Sequence, residues 1–139
     1  FGLLRNGDPG YSDQGYIPQT ISHANFAAEA VDATEGIKTN SASLVTCGEN
    51  MTGWSEQILE KALQLQQTSF DTEMEPLISE MVVLSEKILY GVDSNGNGLI
   101  EPIAGEGGAD TAYEYAYFMV EMPLLPGAHR IPPPVEASK

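Results

Sequence analysis

Six consecutive residues, Asp93-Ser94-Asn95-Gly96-Asn97-Gly98, place oxygen-bearing side chains at alternate positions and a glycine at the sixth. This spacing matches D-x-[DN]-x-[DN]-G, the first half of an EF-hand-type calcium loop. Alternate carboxylate and amide oxygens can converge on one hard cation, and the glycine sits where such a loop turns sharply. Counting from Asp93, Leu99 at the seventh place offers its backbone carbonyl. Ile100 at the eighth packs inward, and Glu101 at the ninth acts through water. The twelfth place, where a bidentate Glu would close the site, holds Ala104. Closure therefore falls to Glu101, Glu106 or Asp110. The candidate metal ligands are Asp93, Asn95, Asn97, Leu99, Glu101, Glu106 and Asp110, and the expected ion is Ca2+. Mg2+ suits the loop less because it demands a tighter octahedron. An open site with few carboxylates should bind weakly, at Kd ~10⁻⁴–10⁻³ M. The competing reading is an Asn- and Gly-rich turn that holds no ion.

Other reactive residue types are sparse. There are two histidines: His23 lies beside an apolar stripe, and His129 lies near the C-terminal end of the sequence. Cys47 is the single cysteine, so no intrachain disulfide can form. Its neighbours Leu44, Val45 and Met51 suit a packed, inert thiol. One cysteine and two separated histidines argue against a structural zinc site. No C-x-x-C-H haem motif and no G-x-S-x-G nucleophile turn occur. Glu56 with Glu60, and Glu73 with Glu80, stand at helical spacings but lack the nearby histidine that di-iron bundles use. They read as solvated faces. Gly105-Glu106-Gly107-Gly108 precedes a helix start, as anion cradles do. No strand precedes it, no lysine follows it, and Glu106 and Asp110 would repel phosphate. No catalytic residue emerges.

These residues must be positioned by helices. A net charge of −14, with six basic residues, argues against nucleic acid and anionic membranes, which need clustered Lys and Arg. It suits divalent cations or a basic protein partner. No run is long enough to span a membrane, and no clear small-molecule substrate is implied. Ile17, Ile21, Ala24, Ala28 and Val31 step at helical spacing, with Pro18 in the first turn. A second helix is predicted from about Thr34 to Met51, where Ser41 and Gly48 would let a neighbour approach closely. A Thr52-Gly53 break precedes a third, from about Trp54 to Gln67. The fourth spans about Thr72 to Tyr90, with Leu77, Met81, Leu84 and Ile88 inward, and Gly91 ends it. Asp110 caps a fifth, with Ala109, Tyr113, Ala116, Tyr117 and Val120 along one side. Its second side carries Tyr115, Phe118, Met119 and Met122, a candidate protein contact unless the N-terminal segment or the tail covers it. The expected fold is an all-α antiparallel bundle of about five helices with the calcium-type loop, 93–104, between the last two. Three parts are expected: a turn-rich segment (1–16), the bundle (17–122) and a proline-rich extended tail (123–139). Pro132, Pro133 and Pro134 of the tail could lie on a partner.

The chain resembles a family of uncharacterised secreted bacterial helical proteins that carry EF-hand-like loops. The resemblance rests on Gly15-Tyr16-Ile17 through Ala33-Thr34-Glu35, on Gly53-Trp54 with the Leu-rich stretch after it, and on Gly91-Val92-Asp93 through Thr111-Ala112-Tyr113. It covers most of residues 1–122. It implies a helical fold, an extracellular, cell-surface or periplasmic location, and an upstream half with its own loop. Members carry histidines on the second and fifth helices, where this chain has residues such as Ser41, Leu44 and Tyr115. The expected function is a non-catalytic, calcium-binding structural subunit of a larger assembly, joined to a protein partner or to itself. The alternatives are a haem- or pigment-binding bundle using His23, and an enzyme built on paired carboxylates.

Overall fold

The computed structural model describes Leu4 and residues 15–69 and 71–120. They form four α-helices and no strand: α1 Tyr16–Glu29, α2 Glu35–Gln67, α3 Asp71–Tyr90 and α4 Ala109–Val120. The all-helical class is as expected. The count is corrected from about five, because the expected second and third helices are one continuous helix.

The expected break at Thr52-Gly53 fails for two physical reasons. Leu44, Cys47, Met51 and Trp54 are all buried, so the apolar stripe steps through the glycine without losing phase. Thr52 Oγ1 donates to Gly48 O at 2.9 Å and Ser55 Oγ to Met51 O at 2.7 Å, so the polar side chains there bond back along the helix. One interior glycine costs about 1 kcal/mol, which such burial outweighs. The start of α2 is well marked. Thr34 is extended, its Oγ1 accepts the Ile37 N–H at 3.2 Å, and Glu35 adds a favourable charge to the first turn.

α2 alone touches the other three helices. The core lies along its first half, where Ile17 and Ala24 of α1, Leu44, Cys47 and Met51 of α2, and Ala112 of α4 are buried together. Small residues set the spacing. A Cβ on Gly48 would lie 2.5 Å from Ile21 Cγ1, and Ser41 is 1% exposed, with its hydroxyl 3.7 Å from Met119 Sδ. Asn50 of α2 bonds Gly107 just before α4, while Ser41 meets Met119 near its end, so α4 runs back along α2.

Two apolar faces differ from expectation. On α4, Tyr113, Tyr117 and Val120 are 77%, 58% and 74% exposed. The side packed on the core is Ala109, Ala112, Ala116 and Met119. The helix carries apolar residues nearly all round, so periodicity does not fix its phase. Alanines let it approach α2 closely and leave the tyrosine hydroxyls in water. On α1, Val31 lies beyond the helix end and is fully exposed. α3 keeps its expected inner line, with Leu84 buried and Ile88 packed on the core, but Ile78, Val82 and Leu89 are about half exposed.

At 33 residues α2 is about 50 Å long, whereas α1 and α4 cover only about 20 Å each. Among the described residues, α2 beyond Trp54 is therefore accompanied by α3 alone, in a projecting two-helix hairpin. Lys61 and Glu80 form an ion pair across it, too exposed to add much stability. Pro76 stands in the second turn of α3, where its missing N–H leaves the Thr72 carbonyl without its helical donor. No helix among the described residues is long and apolar enough to cross a membrane.

Candidate metal centre

The loop from Gly91 to Gly108 is anchored at both ends by close backbone contact. Gly91 has φ +78°, and Val92 N donates to Glu106 O at 3.0 Å. A Cβ on Gly108 would fall 2.6 Å from Gly91 N, 2.7 Å from Lys87 O and 2.9 Å from Ile88 O. Only glycine lets the returning chain lie against the end of α3. From there α4 starts at once, with Ala112 N donating to Gly108 O at 2.9 Å.

Within the loop, Asp93 acts as a hub. Its Oδ1 accepts the N–H groups of Gly96 (2.7 Å) and Asn97 (3.1 Å), and its Oδ2 accepts that of Gly98 (2.8 Å). Gly98 has φ +85°, the sharp turn that the spacing requires. Asn95 Oδ1 accepts Asn97 N at 2.9 Å, and Asn97 Oδ1 accepts Leu99 N at 2.8 Å. Each side chain bonds backbone two residues on, as Asx turns do. The amide nitrogens of Asn95 and Asn97 both donate to Glu101 Oε2, at 3.4 and 2.6 Å. The side chains of Asp93, Asn95, Asn97 and Glu101 therefore form one bonded network around the loop.

Glu106 is also brought to the loop, in a way the sequence did not specify. It is fully buried. Its Oε1 accepts Ser94 Oγ–H at 3.0 Å and Asn95 N–H at 3.1 Å, and its Oε2 accepts Glu101 N–H at 3.3 Å. Three of roughly four carboxylate lone pairs are thus occupied by loop donors. In this arrangement Glu106 is an internal strut rather than an open ligand. Asp110 is exposed in the first turn of α4, and its carboxylate forms no hydrogen bond or ion pair among the described residues. The Leu99 and Ile100 side chains are exposed, the latter contrary to the inward packing expected at the eighth position.

Asn50, which sequence reasoning missed, pins the second half of the loop to α2. Its Nδ2 donates to Ile103 O (2.8 Å) and Gly107 O (3.2 Å), and its Oδ1 accepts Gly105 N (2.8 Å). Nothing about a lone asparagine on a helix signals this role, because the partners are more than fifty residues away. Cys47 lies beside the same corner, and a Cβ on Gly107 would stand 2.5 Å from its Sγ. Its thiol is buried, and burial pushes its pKa up to about 11. It is packing, as expected, and not a reactive centre.

The donors fit a hard cation in kind: one carboxylate from Asp93, amide oxygens from Asn95 and Asn97, the Leu99 carbonyl and the Glu101 carboxylate. No three Asp, Glu, His or Cys side chains among the described residues gather to hold an ion by themselves. Any site here must therefore draw on amides and backbone. Asn95 and Asn97 would offer the second lone pair of Oδ1, or turn their amides away from Glu101. The remaining candidates lie elsewhere. His23 is exposed on α1. Tyr115 and Phe118 are partly buried against each other, ring edge to face at 5.7 Å, and Met119 packs on the core. Met122, His129, Pro132, Pro133 and Pro134 lie outside the described residues, as do the tail and nearly all of segment 1–16. No family model matches this chain, and neither a curated protein nor a solved structure matches it.

Proposed function

We propose that this chain is a non-catalytic structural and interaction subunit of a larger assembly, in which Ca2+ held by the Asp93 loop clamps α3 to α4. One observation carries the reading. Asp93 gathers the Gly96, Asn97 and Gly98 amides around its carboxylate, while Asn95, Asn97 and Glu101 join in one oxygen-rich network beside it. In this reading α3, the loop and α4 form an EF-hand-like unit within an antiparallel bundle. A cation there would offset the mutual repulsion of Asp93 and Glu101, and Asn50 and Glu106 would hold the frame steady around it. The weak affinity expected from so few carboxylates suits a calcium-rich compartment outside the cytoplasm. The resemblance to secreted bacterial helical proteins supports the same location.

The test is thermal unfolding of the intact chain in EDTA and in 5 mM CaCl2. A ligand of the folded state raises stability by mass action, by about 1–2 kcal/mol for free ion at roughly ten times Kd. The melting temperature should rise by several degrees in calcium, and D93N should lose most of that rise. Identical curves in both buffers would refute the reading.

A further inference from the structure

The hairpin beyond the core carries a groove of about 560 Å³ whose floor is formed by Leu65, Ile78, Met81, Val82, Leu89 and Tyr90. Its polar lining is slight. The Ser85 hydroxyl donates to Met81 O at 2.8 Å, which leaves Glu86 as the one charged group on the wall among the described residues. The Glu86 carboxylate forms no hydrogen bond or ion pair among the described residues. Residues 54–90 carry seven carboxylates against two lysines, and Lys61 is paired with Glu80.

We propose that this groove docks an amphipathic helix from a partner protein, apolar on one face and basic along its flanks. Three arguments select that occupant. The groove follows α3 from Ile78 to Tyr90, about 18 Å, which matches three turns of helix. Its walls are helices, whose backbone bonds are internal, so it offers no edge for an added strand. Glu86 lines it and residues 54–90 are acidic overall, so a second copy of this hairpin would bring like charges together, whereas lysines or arginines would meet Glu86. The inference extends the reading of this chain as an interaction subunit. It does not depend on calcium, so the two can fail separately.

The test uses the full chain in EDTA and a fluorescein-labelled 18-residue peptide with leucines at i, i+3, i+4 and i+7 and lysines elsewhere, read by anisotropy. The lysine peptide should bind, and the same peptide with glutamates should not. V82D, at a half-exposed groove position, should weaken binding by about tenfold or more. V31D places the same charge past the end of α1, at a fully exposed site outside the groove lining, and should leave affinity within about twofold. Both variants should melt as the parent does. Equal weakening by V82D and V31D would reduce the effect to diffuse attraction and overturn the proposal. So would a dimer in sedimentation that V82D dissolves, which would make a second copy the occupant. Binding that appears only after removal of residues 121–139 would assign the groove to the chain's own tail and would likewise overturn it.

Discussion

Replacing Glu106 tests whether a buried carboxylate is the strut of the loop. Glu106 is 0% exposed and accepts three hydrogen bonds, from Ser94 Oγ–H, Asn95 N–H and Glu101 N–H. In E106Q the side chain keeps its shape but has one acceptor oxygen. The better orientation leaves that oxygen on Ser94 and Asn95 and sets the amide nitrogen against the Glu101 N–H. One charge-assisted bond is lost and two donors face each other, a cost of about 1.5–3 kcal/mol. Relief from burying a charge returns part of this, so the expected net loss is about 1–2 kcal/mol. E106A removes all three bonds and leaves a cavity, and should cost about 3–5 kcal/mol. At roughly 3–5 °C per kcal/mol for a chain of this size, the two variants should separate clearly in melting temperature. Amide hydrogen exchange adds a local readout, since Asn95 and Glu101 should lose protection in E106Q while the α1 and α2 core amides keep theirs. If E106Q melts within about 1 °C of the parent, and both loop amides exchange at parental rates, the strut is not there.

Two further outcomes test the frame around the loop. G108A would set a Cβ within 3 Å of three backbone atoms of the α3 terminus and should cost about 3 kcal/mol or more in denaturant melts. G53A meets nothing within 4 Å inside a continuous helix and should instead gain up to about 1 kcal/mol. A loss in G53A would restore the break that the sequence suggested. The Cys47 thiol supplies a pH dependence. Its folded pKa lies near 11 against an ordinary value of 9.0, so burial favours the neutral form. That contribution is fully present below pH 9 and is lost as the pH rises toward 11, amounting to about 2–3 kcal/mol. Denaturant titrations at pH 8 and pH 10.5 should show the decline, and C47A should flatten it.

The parts of this molecule encoded in local chemistry were legible in its sequence. Asp93, the alternate asparagines and Gly98 announce a folded loop because their hydrogen bonds span two to five residues. Thr34 announces the start of α2, and Ser41 and Gly48 announce close helix contacts. What was not legible depends on partners far along the chain. Asn50 is an ordinary helix residue until the loop 103–107 is laid beside it. Glu106 stands two places past the position where the motif expects a carboxylate, and its burial follows from the return of the chain to Gly91. The continuity of α2 through Gly53 is decided by burial on both sides of the glycine, which outweighs the local break signal. The phase of α4 is ambiguous because apolar residues occur on both faces, and the choice fell to alanines that fit against α2.

The central claim is most directly tested by titrating CaCl2 into the isotopically labelled chain while following its backbone amide resonances. Calcium held by the Asp93 loop should move a compact set of signals, those of residues 93–101 with Glu106, saturating with Kd ~10⁻⁴–10⁻³ M. The same titration of D93N should move few of them. Signals that stay in place up to 10 mM CaCl2, or small shifts scattered over the surface carboxylates of all four helices, would contradict the claim.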